Sequence, residues 1–256
     1  MMLPAEDRRS DAELFEAAFQ SDDDAAWDAI AALHYRGSKE VFDRALALTH
    51  RDEPAARARG ADILGQLGIP KRAFPHESFA AALRLLADEA REVQFAAIFA
   101  LQHLDRSRAA PHIAPFAGDE DDGIRYAVAF ALGAVDTTEA NRILLTLMRD
   151  RDADVRNWAT FGLGQQSDAD DDEIREALAN GLADNDPDVR YEAIIGLGRR
   201  RDPRALGFLK TMLHDDPDDL FARDAAAKLL GLDDSGNAPT SDLLGGLQRQ
   251  QRWRSR

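Results

Sequence analysis

The sequence of 256 residues contains no cysteine. This absence excludes disulfides, thiolate zinc sites and a thiol nucleophile together. A chain without disulfides suits the reducing cytosol, so we expect a cytoplasmic location. No stretch approaches the ~18 consecutive apolar residues of a membrane helix. Residues 1–7 also lack the basic and apolar segments of a secretory signal, so we expect neither secretion nor a membrane anchor.

Positive charge is also scarce. Asp and Glu number 47 against 32 Lys and Arg, which gives a formal net charge of −15 at pH 7. Lysine and arginine drive nonspecific binding to phosphate backbones, so this balance opposes nucleic-acid binding and favours basic partners. Lysine is the rarer of the two cations and occurs only at Lys39, Lys71, Lys210 and Lys228.

Motifs that carry catalysis or bind metals are missing. The sequence has no nucleophile elbow, phosphate loop or dinucleotide fingerprint. The acidic run Asp168–Glu173 resembles a calcium loop only in charge, because it lacks the alternating ligand order and the central glycine. The histidines show no metal-ligand spacing. We therefore expect no catalytic residues, no metal site and no cofactor.

One helical unit recurs along most of the chain. Asp184–Gly198 consists of an acidic turn, a proline and a helix that ends at a glycine, and Asp150–Gly164 and Asp121–Gly133 are similar. The lead residues of the aligned helices are Ala25, Ala56, Val93, Ile124, Val155, Val189 and, with a slip, Phe221. The leucines eight positions later are Leu33, Leu64, Leu101, Leu132, Leu163, Leu197 and Leu229. Successive leucines are 31 to 37 residues apart, within the ~20–50-residue period of solenoid repeats.

The pattern Asp-x-Asp-x-x-Val-Arg-x-x-Ala-x-x-Ala-Leu-Gly resembles the HEAT-like repeat of the phycobilin-lyase type. The resemblance implies an all-α fold, a right-handed α-solenoid of about six to seven helical hairpins. It says little about function, because the same repeat serves lyase subunits, chaperones and scaffolds. We predict a capping segment over 1–20, the repeats over 21–232, and a linker with a basic tail over 233–256.

Each first helix has a predicted buried face and a recurring arginine. The lead position and the positions four, seven and eight residues later fall on one side of a helical wheel. An arginine directly after the lead position follows an acidic turn in most units. A packing residue must recur in every unit, whereas a ligand-binding residue need not. We therefore interpret these arginines as a structural ladder, formed by Arg57, Arg125, Arg156 and Arg190.

Aromatic residues occupy the opposite side of these helices. They are concentrated two and six positions after the lead residue, where many members of the resembling family hold charged residues. In designed members this ridge lines a concave binding face, so the resemblance implies an exposed partner-binding surface. The alternative is that the rings pack between adjacent helices and are mostly buried. The candidate residues are Trp27, Phe95, Phe99, His103, Tyr126, Phe130, Trp158, Phe161, Tyr191, Glu192 and Ile195.

An aromatic surface flanked by carboxylates suits a protein or peptide with apolar and basic character. We therefore predict a non-enzymatic binding scaffold. The basic tail has the same chemistry as such a partner, so it could dock onto the surface, in cis or in a neighbouring molecule, or remain disordered. The tail residues concerned are Arg249, Arg252, Trp253 and Arg254.

Three alternatives remain open at the level of sequence. An acidic surface would also suit an inhibitor or immunity protein that masks a basic toxin or nuclease. A DNA glycosylase with a HEAT-like superhelix would require a basic rim for phosphates, which the acidic composition disfavours. A bilin-lyase-like enzyme, which would hold a tetrapyrrole against the aromatic residues, is supported only by the repeat type.

Overall fold

The structure, a computed structural model, describes residues 4–20, 22–232 and 238–254. Within these ranges every regular element is a helix, so the predicted all-α class is confirmed. None of the described helices has both the length and the apolar character needed to cross a bilayer. The helices form two compact units, the first ending at Ala131 and the second beginning at Leu132.

The first unit consists of the helices up to α7. Their bounds are α1 Asp11–Ala17, α2 Asp23–His34, α3 Lys39–Leu48, α4 Pro54–Gln66, α5 Pro75–Leu85, α6 Arg91–Ile113 and α7 Asp122–Leu132. Helix α6 is interrupted at Asp105, whose φ of −161° and ψ of 91° are not helical. The Asp105 carboxylate accepts a hydrogen bond of 3.0 Å from the Arg108 amide and so caps the second segment. The single range α6 therefore supplies both helices of one hairpin.

Side-chain caps place the beginnings of the helices. The predicted capping box is present, since the Glu13 amide donates to Ser10 Oγ at 3.3 Å and the Ser10 amide donates to Glu13 Oε2 at 2.7 Å. Asp22 and Ser38 cap α2 and α3 with the side chain alone, which accepts a hydrogen bond from the backbone amide three residues later. Each such cap stabilises a helix by about 1 kcal/mol.

In the first unit, α4 lies between α2 and α6 and packs against both, while α3 and α5 form a second layer. The core contains the fully buried residues Leu33, Ile63 and Leu64. At Gly65 a Cβ atom would lie 2.8 Å from the Cα atom of Ala100. The close approach of α4 and α6 therefore depends on a missing side chain.

The second unit contains the remaining helices. Their bounds are α8 Thr138–Leu147, α9 Ala153–Phe161, α10 Asp172–Gly181, α11 Pro187–Arg199, α12 Leu206–Asp215, α13 Leu220–Leu229 and α14 Thr240–Arg254. Helix α11 packs against α9 on one side and α13 on the other. At Gly196 a Cβ atom would lie 2.7 Å from the Cα atom of Gly164, in the π-helical turn Gly162–Gln166 that continues α9, so α11 and this turn also approach closely through glycine.

The last helix, α14, belongs to this packed array. Its residues Leu243 and Leu247 are fully buried, and the helix packs against α12 and α13. Residues 233–237 of the predicted linker lie outside the described residues. Thr240–Arg254 thus pairs with α13 as the second helix of a final hairpin.

The arginine ladder is confirmed. Arg57 donates through Nη1 to two backbone carbonyls of the turn before its own helix. Through Nε and Nη2 it donates to the Asp88 carboxylate at 2.7 and 2.8 Å. Arg156 makes the equivalent bonds with Asp184 in the second unit. Arg57 and Arg156 therefore each tie their own turn to the turn of the next repeat, whereas Arg190 donates to two carbonyls of its own turn.

Candidate functional site

A cleft of about 730 Å³ lies in the first unit, along α2, α4 and α6 and up to the start of α7. Its volume falls within the ~300–1,000 Å³ of typical ligand pockets. Of the predicted surface residues, Trp27, Phe95, Phe99 and His103 line this cleft. The aromatic positions that the sequence singles out in this unit are therefore brought together.

The cleft exists because the middle helix has small side chains where its neighbours have rings. Two positions after the lead residue, α2 has Trp27 and α6 has Phe95, whereas α4 has Ala58. Six positions after the lead residue, α6 has Phe99 and α4 has Asp62. Because α4 has no ring at either position, a hollow remains with aromatic side chains at its edges.

One side of the cleft continues into what we call the aromatic wall, formed by Phe95, Phe99, Tyr126 and Phe130. The Phe95 and Phe99 ring centroids are 4.8 Å apart, and those of Phe99 and Phe130 are 5.0 Å apart. Tyr126 stacks against the first two rings at 6.3 and 6.4 Å. Such pairs are worth about 0.5–1.5 kcal/mol each beyond the area they bury. Phe95 remains 36% exposed and the others are half-buried, so the wall combines packing with an accessible surface.

Trp27 is the exposed aromatic residue of α2 in the cleft. Its side chain is 49% exposed, and the Arg59 guanidinium lies 5.0 Å from its ring centroid. That distance is within the range of a cation–π contact. The arginine therefore partly covers the tryptophan from the side of α4.

Asp62 is the buried carboxylate of the cleft. Its side chain is 13% exposed, and Arg59 Nη1 is 3.5 Å from its Oδ2 atom. Arg59 is also 3.9 Å from the exposed carboxylate of Asp23, so its charge is shared. Burial raises the pKa of Asp62 to about 6, although the Arg59 charge acts to lower it. Ionisation of this carboxyl group is therefore less favourable in the folded protein than in water, although the ionised form still predominates at neutral pH.

Neutral histidines close the deeper end of the cleft. His34 Nε2 lies 3.0 Å from the Asp62 backbone carbonyl and donates to it, since a carbonyl oxygen can only accept. Burial lowers the pKa of His34. Burial, and secondarily the charge of Arg72, lowers the pKa of His103 to about 4. Both rings are therefore neutral at physiological pH and add no positive charge.

The rim adds two more carboxylates, Glu92 and Asp121, to the lining. Arg91 also lines the rim, and its guanidinium donates a hydrogen bond of 2.8 Å to a neighbouring aspartate. Together with the Asp62–Arg59 pair, the cleft has three carboxylates and two guanidinium groups. With neutral histidines its formal charge is −1 when all three carboxylates are ionised.

In the second unit the predicted surface residues form smaller groups. Trp158 and Phe161 make an edge-to-face pair with centroids 5.5 Å apart. Tyr191 donates its hydroxyl to the Asp219 carboxylate at 3.1 Å, and burial together with that charge raises the Tyr191 pKa. Glu192 accepts a hydrogen bond from Gln165, and burial raises its pKa. These side chains are half-buried and held by local contacts.

Ile195 is a correction to the predicted surface. It is only 1% exposed, because α11 is covered by its neighbours at this position. The isoleucine therefore belongs to the core, and the prediction that it contacts a partner is wrong.

The predicted docking of the basic tail in cis is also corrected. Trp253 is 79% exposed, and Arg249 and Arg252 are exposed, so these side chains do not occupy a groove of their own chain. The side chain of Arg254 lies outside the described residues. The buried leucines on the other face of α14 hold the helix in the array instead.

Asp62 and Arg59 were not among the predicted site residues. The sequence contains a signal that would have identified Asp62. It stands at the repeat position that holds Phe99, Phe130 and Phe161 in other units. The other units have an apolar residue at this position, so a carboxylate there departs from the repeat. Among the residues that the structure describes, no group of three or more His, Asp or Glu is arranged to hold a metal.

Solved structures share this fold over most of the chain. The Escherichia coli protein YibA is 27% identical, with a TM-score of 0.73 over 94% of this chain and 93% of its own. The complex of CpcE and CpcF of phycocyanin lyase from Nostoc sp. PCC7120 gives 19% identity and a TM-score of 0.54, with 94% and 96% coverage. An engineered protein gives 17% identity and a TM-score of 0.56, with 93% and 77% coverage.

None of the curated proteins is significantly similar in sequence to this chain. The model of HEAT repeats matches residues 79–164 and 141–231, which together span more than half of the chain. The repeat match, the helical hairpins and the arginine ladder agree with the resemblance drawn from the sequence. The chain belongs to the HEAT repeat family.

Proposed function

We propose that this HEAT repeat protein is a non-enzymatic scaffold that binds a protein or peptide through the aromatic cleft of its first unit. The observation that carries the proposal is the cleft itself, a hollow of about 730 Å³ with accessible rings at its edges. A folded protein normally buries such rings or uses them for recognition. Trp27 and Phe95, both substantially exposed, are residue types that dominate binding energy at interfaces.

The charges of the cleft support a protein partner over a nucleic acid. A DNA-binding cleft requires a basic rim that neutralises phosphates. Here three carboxylates accompany two guanidinium groups, and the histidines are neutral. The CpcE–CpcF neighbour, whose structure is that of a complex between two proteins, gives further support for a protein partner.

The test is a selection of random dodecapeptides on the immobilised protein, followed by calorimetric titration of the enriched peptides. We expect the double variant Trp27→Ser, Phe95→Ser to bind them at least about tenfold more weakly, because the accessible rings provide the apolar contact. Because the variant also loses the contacts of Phe95 with Phe99 and Tyr126, thermal unfolding should show a lower midpoint but a folded protein at the temperature of the titration.

The matched control is Phe208→Ser, which removes an exposed ring from α12 in the second unit. This variant should bind the peptides as tightly as the unmodified protein. The proposal is wrong if no peptide is enriched, or if the cleft variant and the control bind equally well.

A further inference from the structure

We propose that the Asp62 carboxylate selects a guanidinium or ammonium group, so that the segment bound in the cleft carries an arginine or lysine beside an apolar side chain. The inference deepens the proposed function and rests on it. The chemistry of the partner follows from one under-satisfied carboxylate, its aromatic surroundings and the charge of the cleft.

The first step compares Asp62 with a structural carboxylate of similar burial. Asp88 is 11% exposed and receives two short bonds, of 2.7 and 2.8 Å, from a single guanidinium of the ladder. Asp62 is 13% exposed, but its nearest described cation, Arg59, approaches with one nitrogen at 3.5 Å. A buried charge without good partners destabilises the folded state. The fold thus satisfies the ladder carboxylate and leaves Asp62 with unused acceptor capacity.

The second step concerns Arg59, which does not act as a dedicated partner. Its guanidinium lies 5.0 Å from the Trp27 ring centroid and 3.9 Å from Asp23, as well as near Asp62. A carboxylate can accept a bidentate pair of bonds from a guanidinium. An incoming arginine can provide that geometry at Asp62 while Arg59 retains its contact with Trp27.

The third step concerns the surroundings of Asp62. Trp27 and Phe95 flank the cleft with ring faces and edges, and Ala58 leaves the space between them open. Lysine and arginine have apolar stems that pack on such rings while their charged ends reach a carboxylate. Glu92 on the rim adds a second negative charge. Apolar walls with a carboxylate among them are complementary to a basic side chain.

The experiment uses peptides enriched from the random dodecapeptide library on the unmodified protein. We expect them to share an arginine or lysine next to an apolar residue. Replacement of that arginine by citrulline, its neutral isostere, or of the lysine by norleucine should weaken binding at least about tenfold, because a charge-assisted bond is lost. The same replacement should change binding to the Asp62→Asn variant by no more than about twofold.

The control is Asp28→Asn, which removes an equal charge from an exposed position on α2 outside the cleft. It should keep the preference of the unmodified protein for the cationic peptide. An equal loss of preference in this control would attribute the effect to net charge and overturn the inference.

The neutral-isostere comparison on the unmodified protein needs no variant, so misfolding of Asp62→Asn cannot obscure it. If peptides bind through Trp27 and Phe95 without preferring the cationic form, the inference is wrong and the proposed function stands. If no peptide is enriched, or if loss of the Trp27 and Phe95 rings does not weaken binding, both this inference and the proposed function are wrong.

Discussion

At the scale of single residues, Asp62 differs from the carboxylates of the ladder in its energetics. The guanidinium groups of Arg57 and Arg156 lower the pKa of Asp88 and Asp184, so these pairs favour the folded state at neutral pH. Burial raises the pKa of Asp62 to about 6. This residue therefore opposes folding under conditions in which the ladder carboxylates support it.

This difference predicts that Asp62→Asn raises the free energy of unfolding near neutral pH but not at acidic pH. The folded-state pKa of about 6 lies above an unfolded value of ~3.9. Between these values the folded state binds more protons, so the contribution of Asp62 to stability falls as pH rises and is fully unfavourable above the folded pKa. The free energy of unfolding of the variant should exceed that of the unmodified protein by up to about 3 kcal/mol at pH 7.5 and by about zero below pH 4.

Urea denaturation at pH 4, 5.5 and 7.5 measures this difference. Asp28→Asn is the exposed control, and it should change the free energy of unfolding by ~0.5 kcal/mol or less at each pH. A gain for Asp62→Asn that is the same at all three pH values would contradict the assignment. A stabilising substitution that weakens binding of cationic peptides would follow the trade-off expected at functional sites.

At the scale of helices, α14 is held in the second unit by two buried leucines. Leu243 and Leu247 lie four residues apart on one face and are fully buried where the helix packs on α12 and α13, while Arg249 and Arg252 are exposed. At the other end of the described chain, the short helix α1 with its capping box precedes the repeats.

We therefore predict that Leu247→Ala destabilises the protein by about 2–4 kcal/mol, since it creates a cavity under α14. Leu220→Ala, which truncates an exposed leucine at the start of α13, should change the free energy of unfolding by about 0.5 kcal/mol or less. Thermal unfolding followed by circular dichroism measures both variants. A negligible effect of Leu247→Ala would mean that α14 does not contribute to the packed unit.

The helices of the repeats could be predicted from the sequence because the same positions recur. Lead residues, leucines and ladder arginines each repeat for a packing reason, so several copies give the same information. The sequence does not indicate α14 as a packed helix, because Gly245, Gly246 and the arginines obscure the spacing of its three leucines. It does not indicate that Ile195 is buried, because the wheel of one helix does not show which side its neighbours cover.

The candidate site was only partly predictable for a related reason. Trp27, Phe95 and Phe99 follow the repeat pattern, and so do aromatic residues that do not line this cleft. The hollow between them depends on Ala58 and Asp62, which depart from the pattern. A consensus of the repeats does not record residues that depart from it in a single unit. A functional site can depend on such residues because it lies at one place in the chain.

At the scale of the whole molecule, the net charge of −15 sets the long-range field for every encounter. Such a field raises the association rate of basic partners and repels phosphate backbones. It acts in the same direction as the carboxylates of the cleft. Long-range attraction and local recognition therefore favour the same class of partner.

This field predicts that duplex DNA does not bind even at low ionic strength, where screening is weakest. Fluorescence anisotropy of a labelled duplex of ~20 base pairs at ~20 mM salt measures this, with a DNA-binding protein as the positive control. Saturable binding that weakens with salt would contradict the prediction and revive the glycosylase alternative. Added enriched peptide should leave the anisotropy of the duplex unchanged.

The arginine ladder has a consequence for how this surface can diversify. Arg57 and Asp88 join successive repeats through groups that do not line the cleft, so the stacking of the helices is independent of the side chains displayed beside it. One side chain beside the cleft, such as that of Ala58, can therefore be substituted without a change in how the neighbouring helices stack. Recognition in such a chain can evolve one repeat at a time, with an unchanged backbone inherited beneath it.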